Sequence, residues 1–414
     1  MSLNLYPHQR RALDSTANFD NVGYFMDMGL GKTFVGAEKM KKLSNKVNLV
    51  VCQKSKVDDW VDHFRENYTC AVFDLTKPAQ LKAFLECEVE CVGVINYELA
   101  FRRPELKKLS DFTLMLDESS LIQNEETKRA KYLLKLNASH VILLSGTVVN
   151  GNYERLWSQC QLLGWPISKK TFWQHYVVTK KVEKDGYIHN VPTGEYKNID
   201  RLKRKLADYG AIFMKTDEVF DLPEQNDIYI TVPPSKEYKE FCKKRIITVD
   251  EQMLIGDMQL TARMYERMLC GQFSKEKLEA FTDLVNSTDD RLIVFYTFTE
   301  ELNRMLEVIG DRLYSIVNGE TKNLTAYENK TDSITFVQYQ AGAMGLNLQK
   351  ANKIIYYSLP DGWSEGFEQS RKRIHRIGQE RPCYYYLLLV DDSIEYDILA
   401  TLGVKKARTD ELFN

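Results

Sequence analysis

The chain has 414 residues, 44% of them hydrophobic, with 56 Lys and Arg against 58 Asp and Glu and a net charge of -2. Length and apolar content allow two domains of ordinary size. The balanced charge excludes binding to a polyanion by bulk attraction, so that any nucleic-acid contact is local, and no apolar run approaches the roughly 20 residues of a membrane span. The eight cysteines are scattered through strand-like and helix-like segments. Only Cys87 and Cys91 lie close together, without a second pair or a histidine at metal-ligand spacing, and all eight read as reduced thiols, most of them in the core. The segment from Met1 to Pro7 lacks the charged and apolar regions of a signal peptide, so a soluble cytoplasmic chain is expected, nuclear if the host is eukaryotic, with no membrane partner.

In chain order, the first predicted element is a short apolar strand, Val22 to Met26, that runs into Asp27-Met28-Gly29-Leu30-Gly31-Lys32-Thr33 and then a helix. Glycines at this strand-to-helix turn let backbone N–H groups close on phosphates. Lys32 can neutralise β and γ oxygens, and the Thr33 hydroxyl can ligate Mg²⁺. The expected cofactors are ATP and Mg²⁺. Strand-like runs recur at Val47 to Cys52, Val92 to Tyr97, Phe112 to Leu116 and Val141 to Ser145, with helical patterns between them, which is the rhythm of a parallel sheet with crossover helices. The Phe112 to Leu116 run ends in Asp117-Glu118, where open α/β sheets bind ligands. Asp117 is the candidate for holding the metal through water, and Glu118 for taking a proton from the attacking water.

The texture changes near Tyr153, and residues 151–215 read as a helical insertion. Asp221-Leu222-Pro223-Glu224-Gln225-Asn226 has linker punctuation, dividing lobe one (1–225) from lobe two (226–414). Residues 235–286 look mainly helical, and strands then recur at Leu292 to Tyr296, Ile334 to Gln338, Lys353 to Tyr357 and Tyr384 to Val390. The fold class is therefore α/β with two lobes, each with a helical insertion. Basic runs such as Lys39 to Lys42, Arg201 to Lys205, Lys243 to Arg245 and Arg371 to Arg373 read chiefly as solvated helix faces.

The second lobe closes with Gln369-Ser370-Arg371-Lys372-Arg373-Ile374-His375-Arg376-Ile377-Gly378-Gln379, which resembles motif VI of SWI/SNF-type ATPases, a branch of the superfamily-two helicases. Other motifs of that family stand in order over nearly the whole chain. Tyr6-Pro7-His8-Gln9 resembles the adenine-reading Q motif, and Met28 to Thr33 the family's phosphate loop. Trp60 is similar to the end of motif Ia, Ile95 to Glu98 to motif Ib, and Ser145-Gly146-Thr147 with Asn150 to motif III. Phe295 to Thr299 resembles motif IV, and Gln340-Ala341-Gly342-Ala343-Met344-Gly345-Leu346-Asn347-Leu348 motif V. Motif II departs from the pattern, with Ser119-Ser120 where a small residue and a histidine are common. Nothing resembling an accessory chromatin-reading, zinc or nuclease module flanks the motor, a look closer to bacterial or viral members.

The resemblance implies two tandem RecA-like lobes with an ATP cleft between them. It implies a nucleotide site of Gln9, Met28, Gly29, Leu30, Gly31, Lys32, Thr33, Gly345 and Gln369, and a catalytic set of Lys32, Asp117, Glu118, Arg373 and Arg376, the arginines as candidate fingers. It further implies a rim of phosphate contacts at Lys54, Asn96, Tyr97, Thr297, Gln340, Ala341 and Gly342, with Ser145 and Thr147 relaying between the rims. The implied activity is ATP-driven translocation of a monomer on duplex DNA with displacement of DNA-bound protein. The alternatives are a strand-separating DNA or RNA helicase, a motor subunit of a restriction or defence complex, and a non-enzymatic scaffold.

Overall fold

The computed structural model describes residues 4–184, 186–342, 346–362 and 364–413. The chain forms two compact units, Met1–Phe220 with Ala407–Asn414, and Asp221–Lys406. This differs from a break at 225 with a second lobe running to 414. Gln225 is already a strand residue opposite Cys383. At the other end, Phe413 stands edge-on to Phe213 and Arg408 lies over Tyr196, so the last residues belong to the first core.

In the first unit the strands are β1 (Asn21–Met26), β2 (Val47–Cys52), β3 (Ala71–Asp74), β4 (Cys91–Asn96), β5 (Phe112–Asp117), β6 (His140–Ser145), β7 (Val177–Lys184), β8 (Tyr187–Tyr196) and β9 (Ala211–Met214). Seven of them form one sheet in the order β3-β4-β2-β5-β6-β1-β9, with every pairing parallel. Continuous apolar runs such as Val47–Cys52 suit strands covered on both faces. Two hydrophobic clusters do cover them, one containing Leu49, Val51, Leu114 and Leu116 and the other Val50, Cys52, Val94 and Met115. Because the sheet is parallel, the carboxyl ends of its strands lie along one edge, and the loops there carry the polar motifs.

Residues 151–215 are a mixed insertion rather than a helical one. Helices Trp157–Leu162, Lys169–Tyr176 and Ile199–Asp208 are joined by the antiparallel ribbon β7-β8, and β9 returns to the main sheet beside β1. The alternation of the polar stretch has period two, and Gly186 supplies the positive φ at the turn between the strands.

The second unit holds β10 (Gln225–Val232), β11 (Ile246–Val249), β12 (Gln252–Ile255), β13 (Leu292–Tyr296), β14 (Tyr314–Val317), β15 (Lys322–Asn323), β16 (Ile334–Gln338), β17 (Lys353–Tyr356) and β18 (Cys383–Val390). Its sheet runs β10-β18-β17-β13-β16-β14-β15 and is parallel except for the edge pair β14-β15. The 235–286 segment has three helices but also the antiparallel pair β11-β12.

Candidate active site

The phosphate loop follows β1 and ends at α2 (Lys32–Leu43). Gly29 and Gly31 both have positive φ, 88° and 75°, which L side chains rarely adopt. A Cβ on Gly31 would also collide with the Gln9 amide, so this position needs glycine twice over. The Lys32 ammonium arches back over the loop, donating to the Met26 carbonyl at 2.8 Å and the Asp27 carbonyl at 3.2 Å. Behind it is Gly146, where an added Cβ would come within 3.3 Å of Lys32 Nζ. A side chain at 146 would thus press on the cation.

The helix α1 (Pro7–Ser15) is fastened to this loop. Gln9 Oε1 accepts from the Tyr6 N–H at 2.9 Å, Gln9 Nε2 donates to the Leu30 carbonyl at 3.2 Å, and His8 Nε2 reaches the same carbonyl at 3.0 Å. The Gln9 amide therefore ties the Q-motif segment to Leu30, a contact that the spacing of the motif did not reveal. Tyr6 beside it is 56% exposed and stacks on His8.

Asp117 and Glu118 close β5, separated from the phosphate loop by β6. Trp60, on α3 (Val57–Asn67), donates from Nε1 to Asp117 Oδ2 at 2.8 Å. Burial raises the Asp117 carboxyl above its ordinary range, opposed by the Trp60 hydrogen bond and the Lys32 charge. Glu118 adopts a left-handed backbone, φ 55°, which costs a non-glycine residue roughly 1–3 kcal/mol and is found most often where function holds it. Its Oε2 receives the Ser145 hydroxyl at 3.5 Å, and Ser145 Oγ also contacts the Thr147 N–H at 3.2 Å and the Thr147 carbonyl at 3.1 Å. Motifs II and III therefore touch. In the departing motif II, Ser119 donates to Gln159 Oε1 at 3.1 Å, whose amide nitrogen in turn donates to the Val148 carbonyl at 2.9 Å.

Not every expected DNA contact faces outward. Tyr97 is fully buried and donates its hydroxyl to the Asp117 carbonyl at 2.9 Å, which ties it to motif II. Asn96 is also buried, donating to Glu98 at 3.0 Å, while Ser145, Thr147 and Ala341 are buried too. Lys54 and Gln340 are exposed at the carboxyl ends of β2 and β16. Thr297 sits after β13, with its N–H on Glu301 Oε2 at 2.9 Å and its hydroxyl 3.0 Å from the Ser358 hydroxyl. Gly342 ends the short helix Tyr339–Gly342, and Gly345 lies outside the described residues.

The motif VI arginines differ from one another. Arg371 pairs with Asp227 at 2.7 Å and lies 3.8 Å above the Tyr385 ring. Arg373 is 3% exposed and donates to the Leu346 carbonyl at 3.4 Å, while Leu348 N–H returns to the Arg373 carbonyl at 3.2 Å. Both stitch the second unit together, and Arg373 braces motif V against motif VI. Arg376 is half-buried, with no ion pair recorded among the described residues and a guanidinium pKa lowered by burial. Gln369 donates to Glu365 at 3.1 Å within the helix Ser364–Arg371.

Thr216 had no sequence signal. Its N–H and hydroxyl both reach Asp27 Oδ2, at 3.1 and 3.3 Å, from 189 positions away, and only the pairing of β9 beside β1 brings them together.

A glycine turn with its lysine at a helix start, and an acidic pair two strands away in a parallel sheet, define a phosphate-loop nucleotide-binding protein with two RecA-like α/β units. The chain matches the SNF2-related domain family over residues 8–286 and the helicase conserved C-terminal domain over 276–378, and it belongs to the SNF2-related family. It is 24% identical to the mouse SWI/SNF-related matrix-associated actin-dependent regulator of chromatin subfamily A member 1, over 92% of this chain and 40% of that protein. Identity is 23% to the Saccharomyces cerevisiae ISWI chromatin-remodeling complex ATPase ISW1, over 93% and 38%, and 24% to the Danio rerio chromodomain-helicase-DNA-binding protein 1-like, over 92% and 41%. The chain thus spans about two fifths of the length of these relatives. Among the described residues, no helix is long and apolar enough to cross a membrane.

Proposed function

We propose that this chain hydrolyses ATP in response to duplex DNA and uses the cycle to move along the duplex and displace bound protein. The observation that carries the reading is the Lys32 ammonium held over a two-glycine loop at the start of α2, with Asp117 and Glu118 on the same sheet edge and Gly146 leaving the space between. The names of the yeast and zebrafish relatives, an ATPase and a helicase-DNA-binding protein, support the same reaction class.

The chain's own groups divide the work. Loop N–H groups and Lys32 bind phosphates, Glu118 orients and deprotonates the attacking water, and Ser145 and Thr147 register its position. Arg376 supplies a fixed charge to the transition state. Thr33 and Asp117 would hold Mg²⁺, an ion normally bound by one or two protein oxygens plus phosphates. When bound, that ion would neutralise charge between the β and γ oxygens. Exposed Lys54 and Gln340 hold DNA phosphates without reading bases.

The test compares ATP turnover with duplex DNA, single-stranded DNA and RNA, and then two displacement assays. Duplex of any sequence should stimulate, with the effect falling steeply as salt rises. Release of a third strand from a triplex should be efficient and Lys32-dependent, and opening of a forked duplex slow, since each opened step costs about 1.4 kcal/mol of stacking. Efficient fork opening without triplex release would replace translocation by strand separation.

A further inference from the structure

The ribbon β7-β8 pairs with no other strand among the described residues and lies outside the motif segments of this chain. An isolated two-stranded ribbon is at best marginally stable in water. This one is rooted at its foot: Tyr153 stacks on Tyr196 with centroids 4.5 Å apart, and Arg408 covers the outer side of Tyr196. Beyond the foot its residues are exposed on both faces, from Thr179 to Glu183 and from Tyr187 to Val191. At the free end Tyr187 and Ile188 are 71% and 70% exposed, an apolar tip that folding leaves in water.

Charge is distributed to match. The register sets Lys180 opposite Val191 and Val182 opposite His189 on one face, and Lys181 opposite Asn190 on the other, where Glu183 opposite Ile188 is the one acid nearer the tip among the described residues. The second face continues down to a cavity of about 670 Å³ at the foot, lined by Lys169, Lys170, Trp173, Gln174, Asn190 and Lys197 among others, with no acidic residue in its wall. Lys169 is held by Glu125, whereas Lys170, Lys180, Lys181 and Lys197 have no ion pair recorded among the described residues. The Trp173 indole N–H is buried without a hydrogen-bond partner among the described residues, beside this cavity. An unpaired donor and unneutralised ammonium groups around one cavity call for an acceptor-rich anion.

We propose that the β7-β8 ribbon is a second DNA contact, entering a groove of the duplex with its lysines against the backbone phosphates and the foot cavity receiving a phosphate. The geometry suits a groove. Eight residues of strand span roughly 25 Å, and the major groove, about 12 Å wide, admits a two-stranded ribbon. A ribbon within a groove meets phosphates on both sides, which explains lysines on both faces, and Tyr187 and Ile188 at the tip then cover apolar base edges. The arrangement anchors the first unit through contacts lying outside those motif segments, and it rests on the reading of the chain as a duplex-dependent ATPase.

The experiment measures binding of the full chain to a fluorescein-labelled duplex by anisotropy from about 50 to 200 mM KCl, together with ATP turnover with and without DNA. Lys170→Glu/Lys181→Glu/Lys197→Glu should weaken binding by at least about tenfold and lower the slope of log affinity against log salt by up to about three, near one per lost phosphate contact. ATP turnover without DNA should be unchanged. The control Lys107→Glu/Lys108→Glu/Lys135→Glu makes the same charge change at exposed sites next to the amino ends of β5 and β6 and should lose little affinity. The milder Lys170→Gln/Lys181→Gln/Lys197→Gln and Tyr187→Ala should reproduce part of the loss in proteins that melt as the wild type does. Unchanged affinity and slope in the glutamate variant, equal loss in the control, or loss confined to an RNA ligand would overturn the proposal while leaving the duplex-dependent ATPase standing. A wild-type chain that neither binds duplex nor responds to it would overturn both.

Discussion

The two units present sheets of the same kind, yet their polar edges do opposite things with buried acids. At the carboxyl end of β5, Asp117 and Glu118 stay half-buried beside a lysine, with one oxygen on Trp60 and another near Ser145. Just beyond β13, Glu301 is fully buried, accepting the Thr297 and Phe298 N–H groups at 2.9 and 3.1 Å and the Ser358 hydroxyl at 2.9 Å. Burial raises the Glu301 carboxyl and those donors pull it back. Glu301 is a cap that fixes the motif IV turn, whereas the first pair keeps solvent access and a cation beside it. An acid at the end of a strand becomes chemical when it keeps access to solvent and a cation beside it.

The sharpest break in that comparison lies in the first unit. Lys32→Ala should abolish turnover, and Glu118→Gln should slow it by ~10²–10⁴ while ATP still binds, because the base is lost and the cradle spared. Normal turnover in the Glu118→Gln protein would remove Glu118 from the role. Next in size is Arg376→Ala, expected to lower kcat by ~10³ with ATP affinity nearly intact, as read by stopped-flow turnover beside nucleotide titration. Equal losses in rate and binding would contradict a transition-state charge.

Trp60→Phe keeps the ring and deletes the hydrogen bond to Asp117, an interaction with a charged group worth about 1.5–3 kcal/mol. That bond lowers the carboxyl pKa, so its loss lets burial raise the pKa further. The acidic limb of the kcat/KM profile should therefore move to higher pH, and more Mg²⁺ should be needed for half-maximal rate. A profile that stays in place would detach Trp60 from the metal carboxylate. Arg373→Ala tests the brace: the Leu346 carbonyl loses its donor, and the second unit should melt earlier, for a loss of about 1–3 kcal/mol. Wild-type stability with a large fall in kcat would return Arg373 to the finger role.

The smallest effect is expected from Tyr97→Phe. It should cost about 0.5–1.5 kcal/mol of stability by freeing the Asp117 carbonyl, and leave the salt dependence of DNA binding unchanged. A reduced salt slope would restore Tyr97 as a phosphate contact.

The phosphate loop, the acidic pair and the parallel α/β rhythm were legible because each is local. Glycine spacing, a continuous apolar run and the residues that end it are set within about ten positions. The partners of those residues were not legible. Gln9 on Leu30, Trp60 and Tyr97 on Asp117, and Thr216 on Asp27 join positions 20 to 189 apart, and strand order alone sets them face to face. The same holds for the 151–215 segment, where polar alternation from Thr179 to Asn198 made a ribbon only because Gly186 turns the chain and the Tyr153, Tyr196 and Arg408 stack roots it. Sequence by itself determined which chemical groups the chain carries and the kind of sheet that presents them. Tertiary structure decided which of those groups are spent on each other and which remain open, because burial and hydrogen-bond pairing depend on neighbours that only the packed sheets supply.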